Sequence, residues 1–200
     1  MQMKYVFIIL FSLLSNSVNA QNINEQLRRI KLSMLPETTL RFPCGDSVGH
    51  GYYIAKGFQE EHSYFGKHLG IDISGIGKGN SDLGDTIYSI GYGMVAFAYS
   101  DEYLAVYYKY NGELLKAVYY HCDTVFCKTG ELVPKGFPIA TIGNSNGAYL
   151  AHLHFEMIKD TSIYFGGYGD LHDYSEPDAP LLFYDPEPLL PHYKKIKDNQ

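Results

Sequence analysis

From residue 42 onward, apolar and polar positions alternate in short runs separated by breaks that contain glycine, asparagine or proline. That is the pattern of strands and turns, not of long helices. Residues 103–110 and 113–121 flank Asn111-Gly112, so a hairpin is expected there. Residues 86–99 read as a strand pair or a bent strand, broken at Gly91 and Gly93. Val133-Pro134-Lys135-Gly136 reads as a turn into a strand over 137–142. Residues 143–147 form a loop of types that tolerate positive φ, and 149–158 read as a further strand. Ahead of this region Ile23, Leu27, Ile30 and Met34 recur at helical spacing with Pro36 behind them, which predicts a short helix over 22–35. Residues 160–183 read as a long loop or inserted hairpin, followed by an irregular, proline-rich close. Short strands without long helices argue for one mostly antiparallel β domain.

The N-terminus has a different character. Lys4 precedes a mostly apolar run from Tyr5 to Leu14, and Val18-Asn19-Ala20 places small residues before a cleavage point. Residues 1–20 read as a secretory signal peptide, because the apolar run is too short to span a membrane. No later window is apolar enough for a span, so no stable membrane insertion is expected after cleavage. Export permits disulfides. Cys122 and Cys127 are close enough in sequence to close a small loop, Cys44 is an alternative partner for either, and the sequence leaves the pairing open.

The chain has 200 residues and a formal net charge of −6. The length fits one domain, and the charge argues against a protein held on nucleic acid by a basic surface. Nineteen Tyr, 11 Phe and 20 Gly reinforce the reading of an aromatic-rich β protein with many turns.

Two histidine clusters carry the candidate chemistry. In His68-Leu69-Gly70-Ile71-Asp72, His68 and Asp72 fall on one face of a strand. Their Cα atoms would stand about 13 Å apart on a straight strand, at about 3.3 Å per residue, which is too far for one ion. The strand is therefore expected to bend, or to begin after His68, and Gly70 permits either. In His152-Leu153-His154-Phe155-Glu156-Met157, His152, His154 and Glu156 share one face while Leu153, Phe155 and Met157 share the other. Histidine with carboxylate suits zinc, and three protein ligands leave a position for water.

In this order the segments resemble the lysostaphin/LytM-type zinc metallopeptidases, over roughly residues 43–160. The resemblance rests on HLGIDIS at 68–74, GDTIYSIGYGMVAFA at 84–98, VYYHC at 118–122, LVPKGFPIATIGNSNG at 132–147 and AHLHFE at 151–156. It implies a single β-sandwich or split-barrel domain with a short N-terminal helix. By motif, His68, Asp72 and His154 would be ligands of one zinc ion, and His121 and His152 the two catalytic histidines. Which of those two is the general base stays open. Glu156 would be either an acceptor for a ligand imidazole or a plain structural residue.

The resemblance further implies an exported zinc metalloendopeptidase, periplasmic or secreted, that cuts peptide bonds in peptidoglycan. The alternative is a catalytically inactive relative that binds the wall or activates an amidase. The division expected is a signal peptide over 1–20, a lead-in segment over 21–42, the peptidase core over 43–160 and an extension over 161–200 that packs on the core. Cys122 stands where the family commonly has Leu, and Leu150-Ala151 replaces its usual Gly-Pro. A Cys122–Cys127 disulfide would brace the loop that presents His121.

Overall fold

The computed structural model describes residues 26–62, 66–77, 79–99, 102–159 and 182–194. The expected leader, the start of the expected helix and most of the loop or hairpin expected over 160–183 lie outside these residues. The chain divides into two compact units, residues 1–35 and 36–200. Within the first, residues 26–33 form the helix α1. No described helix is long and apolar enough to cross a membrane.

The second unit is built of short strands. In chain order they are β1 (Tyr52–Lys56), β2 (Glu61–His62), β3 (Gly66–Lys67), β4 (Ile71–Gly75), β5 (Thr86–Tyr88) and β6 (Gly93–Tyr99). Then come β7 (Tyr103–Tyr110), β8 (Glu113–Tyr120), β9 (Cys122–Val125), β10 (Leu132–Val133), β11 (Pro138–Ile142), β12 (Leu153–Ile158) and β13 (Phe183–Tyr184). The main sheet runs β1-β4-β12-β8-β7-β6-β10, with β13 on the far end of β12; β5-β11-β9 form a second sheet and β2-β3 a third. Its ladders are antiparallel, in keeping with the alternation along the chain.

The hairpin expected at Asn111-Gly112 is present. Tyr103 pairs with Tyr120 and Tyr110 with Glu113, and Asn111 and Gly112 take φ of 52° and 82°, a turn whose twist matches the strands it joins. The segment 86–99 is two strands in different sheets, β5 and β6. Between them lies a buried hydroxyl chain. The Ser89 hydroxyl bonds Gly91 O at 2.8 Å, and the Tyr108 and Tyr119 hydroxyls continue it at 2.8 and 2.9 Å. Each hydroxyl satisfies the next, so the core carries these polar groups without an orphan.

The apolar face of β12, Leu153, Phe155 and Met157, packs with Ile71 and Ile73 of β4, Ala117 and Tyr119 of β8, and Ile87, Ile139 and Ile142 of the second sheet. Each such side chain, fully buried, contributes about 1.5–3 kcal/mol. The opposite face of the main sheet buries Leu69, Ala105, Val118, Ile158 and Phe183. His154 and Glu156 therefore sit on a strand that is covered on both sides.

Two expectations are corrected. The strand expected over 149–158 begins only at Leu153. Ala148 N–H and Tyr149 N–H are spent on turn bonds to Ser145 O and Asn144 O, and Ala151 N–H donates to Asn80 Oδ1 at 2.8 Å, so no ladder forms there. The disulfide is absent as well. Cys44, Cys122 and Cys127 are all free and buried. Cys122 and Cys127 instead direct their thiols to the carbonyls of Tyr119 and Ile139.

Candidate active site

His68 directly follows β3 and lies three residues ahead of β4, the strand that carries Asp72. The bend expected at Gly70 is what closes the distance, for His68 Nε2 stands 3.1 Å from Asp72 Oδ1. A Cβ at Gly70 would lie 2.3 Å from Phe155 O and 2.9 Å from Glu156 Cγ, so only glycine lets this segment lie against β12. On β12, His154 is paired with Asp72 across the ladder. His154 Nδ1 is 2.9 Å from Asp72 Oδ1 and 2.9 Å from His68 Nε2. The three atoms converge on one point, and His68, Asp72 and His154 form the metal-competent cluster found among the described residues.

The far nitrogen of each ring decides what the near one offers. His68 Nδ1 is 2.8 Å from the Gly57 carbonyl, which only accepts, so Nδ1 carries the proton and Nε2 offers a lone pair. His154 Nε2 is 3.0 Å from Glu156 Oε1, so its Nδ1 offers a lone pair too. Two imidazole lone pairs and a carboxylate oxygen packed at 2.9–3.1 Å repel one another unless a cation or protons stand between them. Three donors held 2.0–2.2 Å from a tetrahedral zinc stand about 3.3–3.5 Å apart. The donor set and spacing fit such an ion after shifts of a few tenths of an ångström.

The electrostatics follow. Burial works against ionisation of Asp72, but the hydrogen bonds and charges of His154 and His68 outweigh it and hold the carboxyl well below the usual carboxylate range. Burial likewise disfavours a charged His154 ring, yet bonds to Asp72 and Glu156 raise its pKa to about 9. Without a metal, His154 thus carries a proton that a cation would displace.

Two further histidines border the cluster. His152 lies just ahead of β12 rather than on it, and its Nε2 still comes to 3.9 Å from Asp72 Oδ1. Its Nδ1 is 2.7 Å from the Leu150 carbonyl, so Nε2 holds the lone pair. His121 follows β8 with φ of 61°, in the left-handed region that few side chains adopt. Its ring centroid is 4.7 Å from that of His152 and 6.1 Å from that of His154. Burial and the nearby His152 and His154 lower its pKa to about 3, which keeps the ring neutral.

The loop 143–147 secures this conformation. Gly143 N–H donates to His121 O at 2.6 Å, and a Cβ there would stand 2.8 Å from both Asp123 N and His121 O. Ser145 Oγ lies 3.2 Å from His121 Nδ1. The half-exposed Tyr149 ring caps the pair, 5.3 Å from His121 and 6.3 Å from His152.

All five histidine and aspartate positions singled out by motif are thus brought together. Glu156 was legible only as one of two alternatives, and it bonds His154. Ser145 and the carbonyls of Gly57 and Leu150 were missed. A backbone acceptor leaves no trace in residue type.

An antiparallel β-sandwich carrying a His-Asp-His cluster beside two more histidines defines a metallopeptidase class. Residues 66–164 match the model of peptidase family M23, and over that segment the chain is similar to the lysostaphin/LytM-type peptidases. LytU is 28% identical to it, over 72% of this chain and 88% of LytU, with a TM-score of 0.50. A zinc-containing peptidase from Vibrio cholerae is 27% identical, over 60% of this chain and 36% of that one, with a TM-score of 0.45. Lysostaphin from Staphylococcus simulans, an antimicrobial peptidase, is 19% identical over 68% of this chain and 49% of its own, with a TM-score of 0.49. The chain thus spans less than two thirds of the last two. A search of curated proteins found no significant match.

Proposed function

We propose that this chain is an exported zinc metalloendopeptidase that hydrolyses peptide bonds of peptidoglycan. One observation carries the reading. His68 Nε2, Asp72 Oδ1 and His154 Nδ1 converge at 2.9–3.1 Å, with the far ring nitrogens tied to Gly57 O and Glu156. That arrangement is costly without a cation and suits one. Bound zinc supplies Lewis acidity, polarising a carbonyl and acidifying a water.

The remaining groups divide the proton work. The Leu150 carbonyl holds His152 with its Nε2 lone pair toward Asp72, so His152 accepts the proton of the attacking water. The Ser145 hydroxyl, which can donate or accept, lies within hydrogen-bond reach of His121 Nδ1; on this reading it donates there, and His121 Nε2 is then an N–H donor for the developing oxyanion. A neutral His121 suits that role. Tyr149, half-exposed beside both rings, forms the wall against which the substrate lies. Residues 1–20 act as the export signal on this reading.

The test is mass spectrometry of purified cross-linked peptidoglycan after digestion by zinc-loaded residues 21–200, with a chelated sample beside it. New peptide termini that vanish on chelation are expected and would name the bond. Unchanged muropeptides from several wall types, with zinc shown to be bound, would replace this reading by the inactive wall-binding or amidase-activating one.

A further inference from the structure

Glu156 lies on β12 two residues beyond His154 and is fully buried. One carboxylate oxygen, Oε1, accepts from His154 Nε2 at 3.0 Å. The other, Oε2, is buried with no hydrogen-bond partner among the described residues. A carboxylate placed out of water with half its acceptors idle is costly and calls for a compensating charge. Its ion-pair contact among the described residues is with a histidine whose near nitrogen faces the metal cluster. The space it fills exists only because residue 70 is glycine.

We infer that Glu156 is a positioning residue of the metal centre, holding His154 with Nδ1 free for the ion and supplying the second negative charge that selects a dication. The inference rests on the zinc reading above. Asp72 and Glu156 bring two negative charges to the ligand rings, which are neutral when they bind, so the charge next to the ion favours a dication. A hydrogen bond alone would be served equally well by glutamine, whose amide oxygen also accepts from Nε2–H. The charge is what glutamate adds. A merely structural Glu156 would matter to the fold with or without metal; a positioning Glu156 matters to the metal.

The experiment compares wild type with Glu156→Gln by zinc competition against a chromophoric chelator and by thermal unfolding of the metal-free proteins. Zinc affinity of the variant, measured on the folded metal-free protein, is expected to fall about 10–100-fold; its metal-free Tm falls as well, since His154 loses a buried charged partner, and the affinity loss is the readout that a merely structural role would not move. A zinc affinity within about threefold of wild type would overturn the inference, since outer partners of metal ligands ordinarily contribute more. A wild-type chain that binds no zinc would overturn the zinc reading instead, so the two failures are distinct. Should Glu156→Gln not fold, histidine 15N NMR of the zinc-loaded wild type decides. His154 is expected to keep its proton on Nε2, and metal coordination through Nε2 would sink the proposal.

Discussion

His68 Nε2 stands 2.9 Å from His154 Nδ1, a residue 86 positions later in the chain. The acceptors behind the two rings, Gly57 O and Glu156, hold the far ring nitrogens and leave these two as the atoms that face a cation. Strand pairing brings them together, since β4 and β12 are neighbours and set Asp72 opposite His154.

Asp72→Asn keeps the shape of this cluster and removes its charge. The amide nitrogen also brings protons to a point where three lone pairs meet. Zinc content measured by mass spectrometry of the dialysed protein is expected to drop from about one per chain to near zero, with peptidase activity lost in parallel. A fully loaded Asp72→Asn would contradict the ligand assignment.

His152→Ala and His121→Ala are expected to separate metal binding from catalysis. Neither ring belongs to the three-atom cluster, so zinc content stays near wild type. Hydrolysis falls by about 10²–10⁴-fold in each, the usual weight of a proton-transferring or oxyanion-stabilising group. The comparison is kcat beside metal analysis on the same preparations.

Ser145→Ala removes the hydrogen bond at His121 Nδ1. Such a bond is worth about 1–1.5 kcal/mol, so kcat should fall roughly tenfold with KM little changed. Ser145→Thr, which restores the hydroxyl, should recover most of the rate. Equal rates for Ala and Thr would remove Ser145 from the mechanism.

The three thiols are expected to be inert in the native protein. Burial pushes Cys44 and Cys122 well up, and burial with the nearby Glu131 raises Cys127 to about 11. Little thiolate is therefore present near neutral pH. Ellman's reagent should find no thiols in the folded chain and three in guanidinium, and reductant should leave Tm unchanged. Two missing thiols in guanidinium would reveal a disulfide.

Gly70→Ala tests the close approach under the site. The added methyl meets the Phe155 carbonyl at 2.3 Å, and overpacking of this kind costs about 1–3 kcal/mol. Urea unfolding should show that loss, together with weaker zinc binding as His68 and Glu156 are pushed from place.

Much of this was present in the order of residues. Alternation named most of the strands and Asn111-Gly112 named the hairpin, because strand periodicity and turn chemistry are local properties, while His68, Asp72, His121, His152 and His154 were singled out only by the resemblance that their motifs carry. The tertiary structure decided what depends on contacts between distant segments. It moved the start of β12 past His152, since Asn80 had claimed the Ala151 amide. It left the cysteines unpaired in the core, and it placed Gly57 O, Leu150 O and Glu156 behind the rings of His68, His152 and His154, which sets the nitrogen each ring turns to the cluster. A carbonyl belongs to every residue alike, so where it points is known only once the chain has folded.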